Sequence, residues 1–281
     1  MNQTFEFRRW WMLVTLHWVE NRKRYGLGLL AVGGLLVTWF SFLMAVDKFS
    51  AIDLYYQFSA YFVGLLLVGC LMAGTGFSQL GDRRQGIGYL SVPASHLEKL
   101  LCVLFFCVVL FFIAFTLVFY AVDIPMVHAA NRILLGKYHY WPGTNTPINP
   151  SPIYNIFTGL GAPAPEQDGH IFLVGYFAIQ SAYILGPVYF TRSSFIKTTV
   201  SVLVFMLVFV VFMSQGVERQ LPDGWRINNL FQWARVSDLI GQQQWVRLPL
   251  WIETLLWTVL RYGIPPLFWV VTYIRLKEKE V

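Results

Sequence analysis

The sequence predicts an all-α, polytopic membrane protein with six transmembrane helices, an N-terminal interfacial helix and a short outer helix before the last span. Three observations carry that reading. Of 281 residues, 56% are hydrophobic and only 13% are charged, where a soluble domain carries about 25% charge. Apolar runs of about 20 residues, enough to cross about 30 Å of hydrocarbon, recur along the chain. Lys and Arg concentrate in alternate loops, as the positive-inside rule requires of a chain that crosses back and forth.

The elements follow in order. Within residues 1–26, Phe7, Trp11, Val14 and Trp18 recur at helical spacing, with Trp10 alongside and Arg9 and Glu20 opposite. An aromatic face with a cationic rim suits a helix lying in the headgroup layer. The six spans are read at 27–46, 55–80, 100–122, 171–190, 198–214 and 251–274. The first of these reads as an anchor that stays, being too long for a signal peptide and lacking a small-residue cleavage site. In the second, Gly69 and Ala73 stand four residues apart, a spacing that lets helices approach closely in lipid.

The outer segment 123–170 contains "WPGTNTPINPSP" and "GAPAPEQDG", residue types that punctuate loops. His128, His139 and His170 are scattered through it without metal-site spacing, so no metal site is expected. In the outer segment 215–248, Leu230, Trp233, Val236 and Ile240 share a helical face, which predicts a short helix over 228–240 on the outer leaflet. Trp225, Trp233, Trp245 and Trp251 would belong to the interface belt.

Most of the 21 Lys and Arg fall in segments 1–26, 81–99 and 191–197 and in the tail. Both termini are therefore expected in the cytoplasm. The net charge of +6 is accounted for as an orientation signal, and no nucleic-acid partner is needed to explain it. Cys70, Cys102 and Cys107 all lie within spans, which gives no sign of a disulfide framework or cysteine metal site.

The inner loop holds "YLSVPASHLEKLL". Pro93 cannot continue a preceding helix. Ser95 followed by Glu98 is a capping box, in which each side chain satisfies an orphan amide at a helix start. A helix should begin near His96, with Lys99 at headgroup level.

This loop, the amphipathic stretch "FEFRRWWMLVTLHWVENRKRYG" and the six-span topology together resemble the membrane subunits of type 2 ABC exporters. Many of those permeases carry a similar L-x-P-x-S-x-x-E/Q segment after the second span. The resemblance implies that 81–99 is a coupling loop docking on a separate ATPase subunit through Arg83, Arg84, Leu90, Pro93, Ser95, Leu97, Glu98 and Lys99. Leu90 and Leu97 would supply apolar contact, and the charged residues partner selection. The chain has no phosphate-binding loop ending in Lys-Ser/Thr; "GTGFSQLG" lacks that ending. No catalytic residue or cofactor of its own is therefore expected, and ATP would be bound by the partner. The resemblance further implies a homodimer or a pairing with a sister permease, contact with membrane lipids, and a bacterial inner membrane. The 48-residue outer segment departs from the family pattern.

Glu253 and Arg261 fall in the sixth span, about 12 Å apart along a helix. An Arg at mid-bilayer costs about 2.5–3.5 kcal/mol on insertion scales and needs a partner, water or a route to the surface. Pro265 and Pro266 follow and should kink or break the helix. These four residues form a candidate conduit or gate. Two other readings stay open. One is a non-transporting scaffold or sensor that binds through 123–170. The other is a membrane-embedded enzyme acting on lipid or peptide, which would need a cluster of acids, histidines or metal ligands that the spans do not offer.

Overall fold

The computed structural model describes residues 5–46, 52–81, 92–137, 150–156, 169–190, 193–211 and 258–278, the strands 225–229, 232–236 and 243–247, and isolated positions within 86–89 and 251–255. Helix α1 is Phe7–Val46 and α2 is Leu54–Thr75. α3, His96–Leu104, joins α4, Phe111–Lys137, through a π turn at Phe105–Leu110. α5 is Gly169–Tyr189, α6 is Ser194–Val211 and α7 is Ile264–Glu278. Among the described residues, four helices are long and apolar enough to cross a membrane: α1, α2, the α3–α4 rod and α5. The chain is thus a helical, membrane-embedded protein. α6, with 18 residues, is a shorter apolar helix by this measure.

Close contacts give the directions. Arg9 meets Glu98 and Phe40 meets Phe119, so α1 runs parallel to the α3–α4 rod. Gly64 lies against Phe115 and Gly76 against Val103, so α2 runs antiparallel to it. Phe112 meets Phe177 and Cys107 meets Gln180, so α5 is antiparallel to the rod as well. The starts of α1 and α3 and the ends of α2, α5 and α7 therefore share one end of the bundle, here termed basal. Phe77, Leu80, Leu100, Val188 and Leu276 are buried together there. Towards the opposite end the core is aromatic, built on Phe40, Phe58, Tyr61, Phe115, Phe119 and Tyr154.

Small residues set the spacing. A Cβ on Gly69 would lie 2.6 Å from the Tyr176 ring, and one on Gly186 would lie 1.9 Å from Thr198 Oγ1. Ala73 is fully buried. The glycine and alanine of the second span thus face neighbouring helices, as lipid-embedded packing requires.

Four features differ from the sequence reading. First, residues 7–26 and the first span form one 40-residue helix without a break. At 1.5 Å per residue this is about 60 Å, roughly twice the hydrocarbon thickness. Trp10, Val14, His17 and Tyr25 all pack on the Phe105–Phe106 turn or beside it, so the N-terminal half crosses the rod obliquely. Second, the outer segment expected from Asp123 begins later, because α4 runs on to Lys137. Val127, Ala130 and Leu134 are buried at helical spacing while Ile124 and Ile133 are exposed. Pro125 sits within this helix.

Third, the short helix expected over 228–240 is a correction: Trp225–Asn229 and Gln232–Val236 are antiparallel strands β1 and β2, and Gln243–Arg247 is β3. The molecule is therefore not purely α-helical. "WRINN" and "QWARV" mix β-branched and aromatic residues with polar ones at short period. Both fit a pleated ribbon, and Asn229 pairs with Gln232 across two intervening residues, a hairpin separation. A 3.6-residue apolar pattern over so short a stretch does not separate helix from strand.

Fourth, Pro265 and Pro266 do not end the last helix. They stand at its second and third residues, directly after a π turn at Val259–Gly263. Proline lacks an amide proton that a helix start does not use, so these positions tolerate it.

Candidate functional site at the basal end

The site grows from the inner loop. Ala94 N donates to Val92 O at 2.7 Å, a tight turn around Pro93. Ser95 is extended, at φ −67° and ψ 154°, and α3 begins at His96. The capping box is complete: Glu98 N donates to Ser95 Oγ at 3.2 Å, and Ser95 N donates to Glu98 Oε2 at 2.8 Å.

The Glu98 carboxylate does more than close the cap. Arg9 on α1 grips it side-on, Nε to Oε2 and Nη2 to Oε1, both at 2.7 Å. Glu6 N also donates to Oε1 at 2.9 Å. The Glu98 side chain is 0% exposed and that of Arg9 is 29% exposed. A carboxylate can take about four such donors, and here four are supplied. The bidentate guanidinium fork fixes direction as well as distance. One side chain thus joins the start of α3 to the start of α1, 89 residues away in sequence.

The placement of the sequence-derived set follows. Pro93 and Leu97 are exposed, Leu97 at 39%. Ser95 is half-buried in the cap. Glu98 and Lys99 are fully buried, so both act within the chain rather than presenting charge outward. The Lys99 ammonium lies 5.6 Å from the Tyr89 ring centre. Arg83, Arg84, Leu90 and Glu253 lie outside the described residues, and so does the Arg261 side chain, whose backbone belongs to the π turn. Pro265 is buried and Pro266 exposed. The described residues of the first set are sequence neighbours within one capped turn, and of the second set the described side chains are those of Pro265 and Pro266.

Further basal cations rest on aromatic rings: Arg275 over Tyr189 at 4.9 Å and Lys197 over Phe190 at 5.8 Å. Such contacts hold a positive charge beside apolar surface. One cavity adjoins the loop and a second borders the first. One, of about 500 Å³, lies between α1, the end of α2 and α3 and includes His17, Glu20, Arg24 and Lys99. The other, of about 550 Å³, is an apolar groove along α1, α2 and α4.

Four structural anchors are not indicated by the local sequence. Arg9 fits a cationic rim in the sequence, and nothing local pairs it with Glu98. Gln57 Nε2 donates to Ile52 O at 3.1 Å and Pro152 O at 3.0 Å, while Tyr154 N donates to Gln57 Oε1 at 2.7 Å. Asn131 exchanges two 3.0 Å hydrogen bonds with the Ser151 backbone. Gln180, fully buried, donates to Cys107 O at 2.6 Å, a carbonyl in the π turn, where regular helical pairing is interrupted. The available signal was a polar amide inside an apolar run, which in a membrane helix implies a specific partner.

No known protein family, curated protein or solved structure matches this chain.

Proposed function

We propose that this chain is the transmembrane permease subunit of an ATP-driven exporter of the ABC type, coupled through residues 81–99 to a separate ATPase subunit. The observation that supports it best is the Glu98 junction. The capped turn at 92–95 leaves Pro93 and Leu97 outward for a partner, while Glu98 ties the same turn to the base of α1. A push on the loop would move α3 and α1 together as one lever, the rigid-element arrangement that alternating access requires. The reading further assigns the basal end to the cytoplasm of a bacterial inner membrane, where positive loops belong, and a second copy or sister permease to complete the pathway.

The test is purification from native membranes in mild detergent, comparing wild type with Leu97→Asp and Leu90→Asp. An ATP-hydrolysing subunit should accompany wild type and be lost from both variants, while the permease itself stays folded. Absence of such a subunit even after gentle cross-linking would remove the reading and direct attention to the outer segment 123–170 as a binding surface.

A further inference from the structure

The two basal cavities share Arg24, Tyr25, Thr75 and Phe106 in their walls, which makes them neighbouring parts of one space. Their chemistry differs sharply. The first, of about 500 Å³, is edged by Arg24 and Lys99 with Glu20 and His17, the latter held by a 2.6 Å hydrogen bond to Tyr25 Oη. The second, of about 550 Å³, is edged by Leu29, Val32, Leu71, Met72 and Ala114, with Arg22 at its mouth. Cations thus outnumber the one carboxylate along the combined space, and they stand at its polar part and mouth.

The long axis is set by the rod. From Phe106, shared by both cavities, to Ala114 is eight residues, about 12 Å of helix. Leu71, on the groove wall, is 53% exposed. In a membrane-embedded chain such a wall faces hydrocarbon, so an acyl chain is its natural occupant. Gly28 also lines the groove, and a Cβ there would meet nothing within 4 Å. The groove owes part of its room to that missing side chain.

We propose that the cavity and groove form one site for an anionic glycerophospholipid. Its phosphate lies beside Arg24 and Arg22, both exposed, and one acyl chain runs along the groove toward Ala114. Arg recognises phosphate oxygens by a bidentate fork. The Leu71–Ala114 groove supplies apolar burial for the chain. The lipid would wedge between α1 and α2 next to the Glu98 junction. The site stands independently of the coupling role proposed above, since it rests on Arg22, Arg24 and the groove residues, none of which belongs to the coupling loop.

The experiment uses the full chain, delipidated in mild detergent and exchanged with dioleoylphosphatidylglycerol or dioleoylphosphatidylcholine, with bound lipid counted by native mass spectrometry. Wild type should hold one phosphatidylglycerol and at least tenfold less phosphatidylcholine. Arg24→Gln, at an exposed position, should weaken phosphatidylglycerol retention about tenfold, or about 1.4 kcal/mol. Gly28→Phe should abolish retention by filling the groove. Arg8→Gln, an exposed cation lining neither cavity, should change nothing. Equal retention of the two lipids, or equal retention in Arg24→Gln and Arg8→Gln, would overturn the proposal. So would displacement of the lipid by glycerol phosphate at comparable concentration, which would assign the pocket to a soluble phosphate.

Discussion

The two ends of the bundle are tied by the same device in different chemistry. At the basal end an ionised side chain, Glu98, gathers Arg9, Glu6 N and Ser95 N. At the opposite end neutral amides, Gln57 and Asn131, hold the backbone of the strap 150–156. In both cases a buried polar side chain fastens a segment far away in sequence. The difference teaches what each joint is suited to. A neutral amide satisfied by backbone groups costs little to bury and holds a static strap. A buried carboxylate costs several kcal/mol to desolvate and is held only while its partners stay in place. That makes the basal joint the stiffer and the more directional of the two.

The basal joint can be broken at its centre. Glu98→Ala removes the carboxylate, opens the cap and leaves the Glu6 and Ser95 amides unpaired; the expected loss is about 1–3 kcal/mol, read as a lower thermal midpoint in detergent. Arg9→Ala combined with Glu98→Ala should be less damaging than the sum of the single changes, because the stranded charge is gone. Equal, additive losses would show that the pair is not coupled.

Gln57→Ala sharpens the comparison from the other end. Three hydrogen bonds disappear, and about 2–3 kcal/mol is expected from the unsatisfied groups left behind. Hydrogen exchange should rise across 150–156 and stay unchanged across 95–99. A rise at both ends would mean that the two joints form one cooperative unit.

Gln180→Leu should cost about 1–3 kcal/mol by leaving Cys107 O unpaired in the π turn. Gln180→Glu should not restore it, since an ionised carboxylate cannot donate. The smallest effect is expected at Ser193, whose φ of 52° lies in the left-handed region. Ser193→Gly should stabilise by up to about 1 kcal/mol, without altering either joint.

What could be read from the residues alone followed the range of the forces involved. The apolar runs and the Ser95–Glu98 cap were legible because hydropathy and capping act over a few neighbouring positions. The start of α3 at His96 was legible for the same reason. The Arg9–Glu98 pair was not, because 89 residues separate its members and either could have met solvent. Gln57, Asn131 and Gln180 were visible as polar intrusions, yet their backbone partners carry no side-chain signature. The strand at Gln232–Val236 was read as helix because Trp233 and Val236 fit a helical face as well as a strand. The extension of α4 beyond Val122 was not legible because the continuous apolar run ends at Asp123, while only the face bearing Val127, Ala130 and Leu134 stays buried.

The proposed coupling role is tested most directly by placing a photo-cross-linker at Leu97 in the chain as it sits in native membranes. Leu97 is exposed beside the cap, and Leu117, exposed at 65% in the middle of the rod, serves as the lipid-facing control. The Leu97 probe should capture an ATP-hydrolysing polypeptide and the Leu117 probe should not. Capture of lipid alone from position 97, or of the same polypeptide from both positions, would contradict that role.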